Sequence, residues 1–304
     1  MTALSAQIFW AGFFYCFVGP LAESSAAPEF RLSMHNIPSF PDDQNLRDPL
    51  PDADLERRFG SLARLYGTAG AQRIRQAHVV VVGLGGVGSW AAEALARSGV
   101  ARLSLIDLDH IAESNINRQV HALDITVGQA KVQAMRERIL HINPACQVDC
   151  VEEFADTGNW PTIAGLNHSY DRTQTAVIDA CDQVRAKTAM AAWALKNKAF
   201  FITVGAAGGK RLAHKVDIDD LAAVTHDPLL AQLRYRLRKE HGAIRDKKMN
   251  VACVFSREAV LQPDTNAQTD GSLNCHGYGS VVSVTSTFGA CAAGWVIGKF
   301  SEGA

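Results

Sequence analysis

Two basic residues, Arg118 and Lys131, and two acids that close apolar runs, Asp107 and Asp182, share this chain with a glycine-rich turn containing Gly83, Gly85 and Gly88. Cations beside a phosphate cradle can neutralise charge that grows on phosphoryl oxygens, and on departing pyrophosphate, when the α-phosphorus of a triphosphate is attacked. A nicotinamide site needs no such clamp. Arg118 sits in ESNINRQVHA with Asn115, Asn117 and Gln119, and Lys131 in VGQAKVQAM. A carboxylate at the carboxyl edge of a parallel sheet can hold Mg²⁺, which bridges phosphate oxygens. Asp182, in AVIDACDQVRAK, is the expected metal ligand, with Asp179 in support. The alternative for Asp182 is an N-cap on the helical run QVRAKTAMAAWALKNK, where an acid satisfies free N–H groups.

These side chains need a scaffold that brings them to one edge. The run VVVVGLGGVGSW, Val79 to Trp90, reads as a buried strand, a tight turn and the start of an Ala-rich helix. Its glycines fit G-x-G-x-x-G: the first makes the turn, the second lets backbone approach a phosphate, and the third lets helix pack on strand. The helix start adds free N–H groups and a positive dipole end. A second strand, ARLSLIDLD, carries Asp107 19 residues after Gly88, where an acid accepts hydrogen bonds from ribose hydroxyls. Strand and helix signals alternate from Val79 to about Val204. That alternation predicts an α/β fold, a doubly wound, mostly parallel Rossmann-like sheet, with a smaller C-terminal α+β portion. The expected segments are an N-terminal extension (1–54), a nucleotide-binding core (55–204) and, after the break GAAGGKR, a portion for substrate binding and dimerisation (205–304).

GLGGVGSW, IDLD, NINRQ, the Lys131 run and DACD together resemble the ATP-binding core of the ubiquitin-activating-enzyme-like adenylyltransferases, which include the molybdopterin and thiamine biosynthetic activators. RRFGSLARLYG, NRQVHAL, HINPACQV, VACVFSREAV and TSTFGACAAGWV resemble, more narrowly, the tRNA threonylcarbamoyladenosine dehydratases. The resemblance runs from Glu56 to Phe300. It implies ATP and Mg²⁺, with Gly83, Gly85, Gly86 and Gly88 at the phosphates and Asp107 at the ribose. Asn115, Arg118 and Lys131 would hold the triphosphate, with Gln119 in the nucleotide-binding set and Asp182 on the metal. Arg118, Lys131 and Asp182 would form the catalytic group. In the superfamily the arginine equivalent to Arg118 commonly reaches the partner subunit's nucleotide, which implies a homodimer. The implied reaction activates the carboxylate of threonylcarbamoyladenosine, beside the tRNA anticodon, as an acyl-adenylate, and a nitrogen of the group then closes a ring. The alternative is adenylation of the C-terminus of a small sulfur-carrier protein, with a sulfur-transfer partner. The polar stretch LNHSYDRTQTAV departs from the family pattern and reads as a loop insertion ahead of the strand carrying Asp179.

Seven cysteines form no C-x-x-C pair, which argues against the tetracysteine zinc of several relatives, and their odd number and scattered placement argue against a secreted disulfide framework. Cys275, beside His276 in SLNCHGYGS, reads as a turn residue, with a reactive thiolate as the alternative. A net charge of −1 does not mark a nucleic-acid binder, yet seven basic residues against two acids fall between Leu229 and Lys248. Leucines 229, 230, 233 and 237 keep helical spacing there, so Arg234 and Arg238 are expected on one face able to meet phosphates, or else on a solvated face. The apolar stretch IFWAGFFYCFVGPLA is short for a membrane span and has no basic residue before it. It reads as an upstream extension, with Met34 as the true start and Ser24 to Asp54 largely disordered. STFGACAAGWVIGKF reads as a helix packed in the fold or a dimer interface. A cytoplasmic location is expected, with membrane contact left open by these two apolar runs.

Overall fold

Short apolar strands build the frame of the computed structural model, which describes residues 53–167, 170–261 and 278–303. In chain order they are β1 (His78–Val82), β2 (Arg102–Ile106), β3 (Gln147–Val151), β4 (Thr175–Asp179), β5 (Phe200–Val204), β6 (Val216–Asp220) and β7 (Ala252–Ser256). They form one seven-stranded sheet in the order β3-β2-β1-β4-β5-β7-β6. Every pairing is parallel except β6 with β7. From β1 the chain winds outward to β2 and β3, then crosses back to β4 and on to β5. The carboxyl ends of β1 and β4 therefore flank a topological switch point, where open α/β sheets leave a crevice for ligands.

Helices cover both faces. The helices are α1 (Leu55–Phe59), α2 (Ser61–Ile74), α3 (Gly88–Arg97), α4 (Lys131–Ile142), α5 (Val184–Asn197), α6 (Pro228–Glu240) and α7 (Val282–Glu302). Val79 and Val81 of β1 pack with α3, α4 and α7 in one core, while Val80 and Val82 point to the other, with α5 and α6. This is the period-two alternation of a sheet buried on both sides. Helix α7 lies against α3 so closely that a Cβ on Gly289 would meet the Val87 carbonyl oxygen at 2.5 Å. Small residues on both helices, Ala91 and Ala92 of α3 and Ala292 and Ala293 of α7, are buried in the same core and permit that approach.

The portion from 205 onward extends the sheet: β7 pairs with β5, and β6 closes the edge. The strand carrying Asp179 is fourth in the chain, because QVDCV forms β3 at the opposite edge. The expected loop insertion leaves β4 in regular register with β1, and Tyr170 from it stacks edge-on against Trp193 at 5.1 Å. The apolar run before Pro20, Met34, Cys275 and His276 lie outside the described residues. Among the described residues no helix is long and apolar enough to cross a membrane.

Candidate active site

Gly83 ends β1 with a φ of 86°, in the left-handed region that suits glycine. The chain then turns back so tightly that a Cβ on Gly88 would stand 1.8 Å from the Gly83 carbonyl oxygen. No side chain caps the start of α3, whose N-cap is Val87. Gly85 has open space where a side chain would be, and beside Gly86 lie Arg118 and Thr285 of α7. A glycine loop leading into an uncapped helix start is an anion cradle made of backbone N–H groups.

Arg118 is buried, with 8% exposure, and its Nη1 donates to the Ser114 carbonyl at 2.6 Å and to Asn117 Oδ1 at 2.9 Å. Its Nε and the Oε1 of buried Gln119 have no partner among the described residues. Unsatisfied buried polar atoms beside an open loop fit a site that a polar ligand completes. Within the chain Arg118 faces its own glycine loop, and Trp90 Nε1 fixes its backbone by donating to the Arg118 carbonyl at 2.9 Å. Asn115 spends its Oδ1 on the Ala112 N–H at 3.1 Å, so it shapes the turn that presents Arg118.

Asp107 follows β2 and is buried, accepting hydrogen bonds from the N–H groups of Leu84 and Asp109. Burial raises its carboxyl above the usual carboxylate range, opposed by the Lys131 ammonium and the two backbone donors. Lys131, at the first position of α4, places its Nζ 2.7 Å from Asp109 Oδ2 and 3.9 Å from Asp107 Oδ1. Sequence reasoning missed Asp109, which a turn just past β2, its own N–H donating to Asp107 Oδ1 at 2.9 Å, brings beside Lys131. Behind Lys131 lies His121, only 2% exposed and with both ring nitrogens unpartnered among the described residues. Burial and the nearby cations Lys131 and Arg138 lower its pKa to about 3, so the ring is neutral.

The two acids of DACD part company. Asp179 is fully buried: it accepts from Lys187 Nζ at 3.0 Å, Thr203 Oγ1 at 2.6 Å and the Cys181 thiol at 3.1 Å. Its carboxylate is neutralised inside the sheet, which corrects the expectation that it supports a metal. Burial opposes charge on Lys187, but the Asp179 carboxylate outweighs it and the pKa is raised. Burial, reinforced by Asp179, pushes the Cys181 thiol well up, so it remains a donor. Lys187 and Thr203 were not legible as partners, because a lysine in a helix normally marks a solvated face. Asp182 is exposed and does not cap α5: the N-cap is Gln183, whose amide reaches Asp182 Oδ1 at 3.4 Å. Nearby, Asp227 caps α6 through the Leu230 N–H and also takes the Ala206 N–H at 2.9 Å, tying α6 to the carboxyl end of β5.

Arg234 departs from the sequence expectation. Its Nη1 is held by the Leu221 and Val224 carbonyls at 3.0 and 2.8 Å, so it anchors α6 to the preceding loop.

A doubly wound sheet with a glycine-rich loop at its switch point and two cations beside it is the framework of a class of nucleotide-using enzymes. Residues 59–301 match the ThiF family, and the chain belongs to it. Within that family it is similar to the tRNA threonylcarbamoyladenosine dehydratase of Escherichia coli, 42% identical over 80% of this chain and 93% of that protein. The enzyme of the same name from Haemophilus influenzae is 41% identical over 81% of this chain and 94% of its own length. A crystal structure of the E. coli dehydratase in complex with ATP superposes with a TM-score of 0.72, at 41% identity, covering 82% of this chain and 96% of that one.

Proposed function

We propose that this protein uses ATP to cyclise the threonylcarbamoyl group of a modified tRNA adenosine, a net loss of water. The observation that carries the reading is the pair of buried cations, Arg118 against the glycine loop and Lys131 beside Asp107. A carboxylate is a poor electrophile and hydroxide a poor leaving group, so direct ring closure is slow. Attack of the substrate carboxylate oxygen on the α-phosphorus of ATP forms an acyl-adenylate and releases pyrophosphate. A nitrogen of the same group then attacks the acyl carbon, gives up its proton, and AMP departs with the oxygen that would have left as water.

In this reading Gly83, Gly85, Gly86 and Gly88 cradle phosphates, and Asp107 accepts from the ribose hydroxyls. Arg118 and Lys131 neutralise the charge that grows on the phosphoryl oxygens, in a dry setting where such interactions are strongest. Lys131 is held ready by Asp109, so its ammonium is oriented before ligand arrives. Asp182 fits Mg²⁺: the ion takes one or two carboxylates together with phosphate oxygens and water, and this exposed acid has no strong partner among the described residues. The bound ion would supply charge neutralisation between phosphates. A nicotinamide-binding module leaves Arg118 and Lys131 without a role.

The test is to incubate the protein with ATP, Mg²⁺ and tRNA carrying threonylcarbamoyladenosine, digest the RNA and analyse the nucleosides by mass spectrometry. The expected result is that nucleoside minus one water, with equimolar AMP. An unchanged nucleoside, with ATP–pyrophosphate exchange appearing only on addition of a small carrier protein, would overturn it in favour of carrier activation.

A further inference from the structure

We propose that the groove along α6, continued by residues 241–248, grips the tRNA backbone through Lys239 and Arg245, with Tyr235 as a stacking platform. The inference rests on the dehydratase reading and adds to it the place where the nucleic acid lies. A concavity of about 500 Å³ is lined by Ala231, Arg234, Tyr235, Arg238, Lys239 and Arg245, four basic residues and no acid. A second concavity, of about 300 Å³, shares Ala231 and Arg234 with it and runs on to Asp227 and Pro228 at the start of α6. The two make one groove down the length of the helix.

The basic side chains have different duties. Arg234 is clamped by carbonyl groups and forms the wall, and Arg236 is paired with Glu240 at 3.0 Å. Arg238 Nη2 holds the Arg245 carbonyl at 3.2 Å, which closes the 241–248 turn back onto the helix, while its buried Nε has no partner among the described residues. Lys239, Arg245, Lys247 and Lys248 are exposed around it. Tyr235 is 62% exposed, and the Lys239 ammonium stands 5.6 Å from its ring centroid. An exposed aromatic flanked by cations meets a base on its face and phosphates on either side, the combination that single-stranded nucleic acid selects. The chain as a whole has a net charge of −1, so the positive charge here is local to one surface.

Placement supports the same occupant. The Asp227 carboxylate binds both the α6 start and the Ala206 N–H just beyond β5, so the groove begins at the sheet edge that carries the glycine loop. Helix α6 then leads away from that edge for about 20 Å at 1.5 Å per residue. An adenosine held at the edge would have its flanking backbone led along this helix.

The experiment measures binding of tRNA by fluorescence anisotropy across a KCl series, for the parent, Lys239→Gln/Arg245→Gln and Tyr235→Ala, with ATP affinity by calorimetry alongside. Removing two phosphate contacts is expected to lower the log–log salt slope by about 2. Removing the ring is expected to weaken binding at least about fivefold with the slope unchanged. ATP affinity stays at the parent value, and the KM for tRNA rises with kcat retained. Variants that bind tRNA as the parent does overturn the surface and leave the dehydratase reading standing. Variants that lose ATP affinity in step with tRNA affinity overturn it too, since the residues then act through the fold. A parent that binds no tRNA overturns both inferences, and a preference for an acidic protein over tRNA assigns the groove to that partner instead.

Discussion

Breaking the Asp179–Lys187 pair at one end should cost far more than removing it altogether. Both side chains are fully buried, 3.0 Å apart, and Thr203 bridges them by accepting from Lys187 at 3.1 Å and donating to Asp179 at 2.6 Å. At an effective dielectric of about 20, two unit charges at that distance attract by about 5 kcal/mol, which offsets the desolvation of each. Lys187→Met leaves a buried carboxylate with hydroxyl, thiol and backbone donors but no cation, and Asp179→Asn leaves a buried ammonium. Each single change should destabilise by about 3–5 kcal/mol, lowering the melting temperature of a chain of this size by roughly 10 °C. In Asp179→Asn/Lys187→Met no charge is stranded, so the double variant should cost no more than about 1–2 kcal/mol, less than either single. Urea unfolding followed by circular dichroism reads all three. Because Cys181 donates to Asp179, the 180–183 turn that carries Asp182 should shift in the singles, and ATP turnover should fall with stability. Single costs below about 1 kcal/mol, or singles that add within about 0.5 kcal/mol, would refute the reasoning.

The nucleotide site gives further outcomes. Arg118→Ala and Lys131→Ala should each reduce ATP consumption about 10²–10³-fold, measured as pyrophosphate release; an unchanged rate removes them from the charge clamp. Gly88→Ala places a Cβ 1.8 Å from the Gly83 oxygen, so calorimetric ATP binding should be lost, and retained affinity would mean that the loop can open. His121 has its folded pKa lowered to about 3, below the ordinary value of about 6.5, so the unfolded chain binds its proton first. Its contribution is complete above about pH 6.5 and falls as pH drops toward 3, by about 2 kcal/mol between pH 7.5 and 5. In urea unfolding His121→Leu should flatten that acid limb, and parallel pH curves for the two proteins would exclude the histidine as its source.

What the sequence revealed follows from how local each signal is. β1, the glycine turn and the start of α3 lie within a dozen residues, and their glycine spacing and valine run speak directly of strand, turn and helix. The placement of Asp107 just past β2 and of Lys131 at the start of α4 was legible for the same reason, each at the edge of a short patterned run. β3 and β6, QVDCV and VDIDD, were not, because edge strands are half exposed and carry polar residues that blunt their pairing. The insertion of β7 between β5 and β6 is a long-range pairing that no local pattern encodes. Lys187 shows the limit most plainly. A lysine among alanines in a helix reads as solvent-facing, and only the arrival of Asp179 and Thr203 from two strands makes its burial tolerable. Asp182 reads equally as cap and as ligand in one dimension, and the backbone geometry at Gln183 removes the cap.

The seating of α7 against the first turn of α3 has a consequence for the order in which the protein becomes competent. Thr285 lies beside Gly86 in the glycine loop and Gly289 against the first turn of α3, yet both stand roughly two hundred residues further along the chain than the loop itself. Contacts of such sequence separation carry a larger loop-closure cost than local ones. A chain emerging during synthesis would carry its glycine loop early but with the Ala-rich flank of α3 bare to water, a sticky surface until α7 docks. Completion of the glycine-loop wall and burial of the α3 flank therefore both depend on the docking of α7.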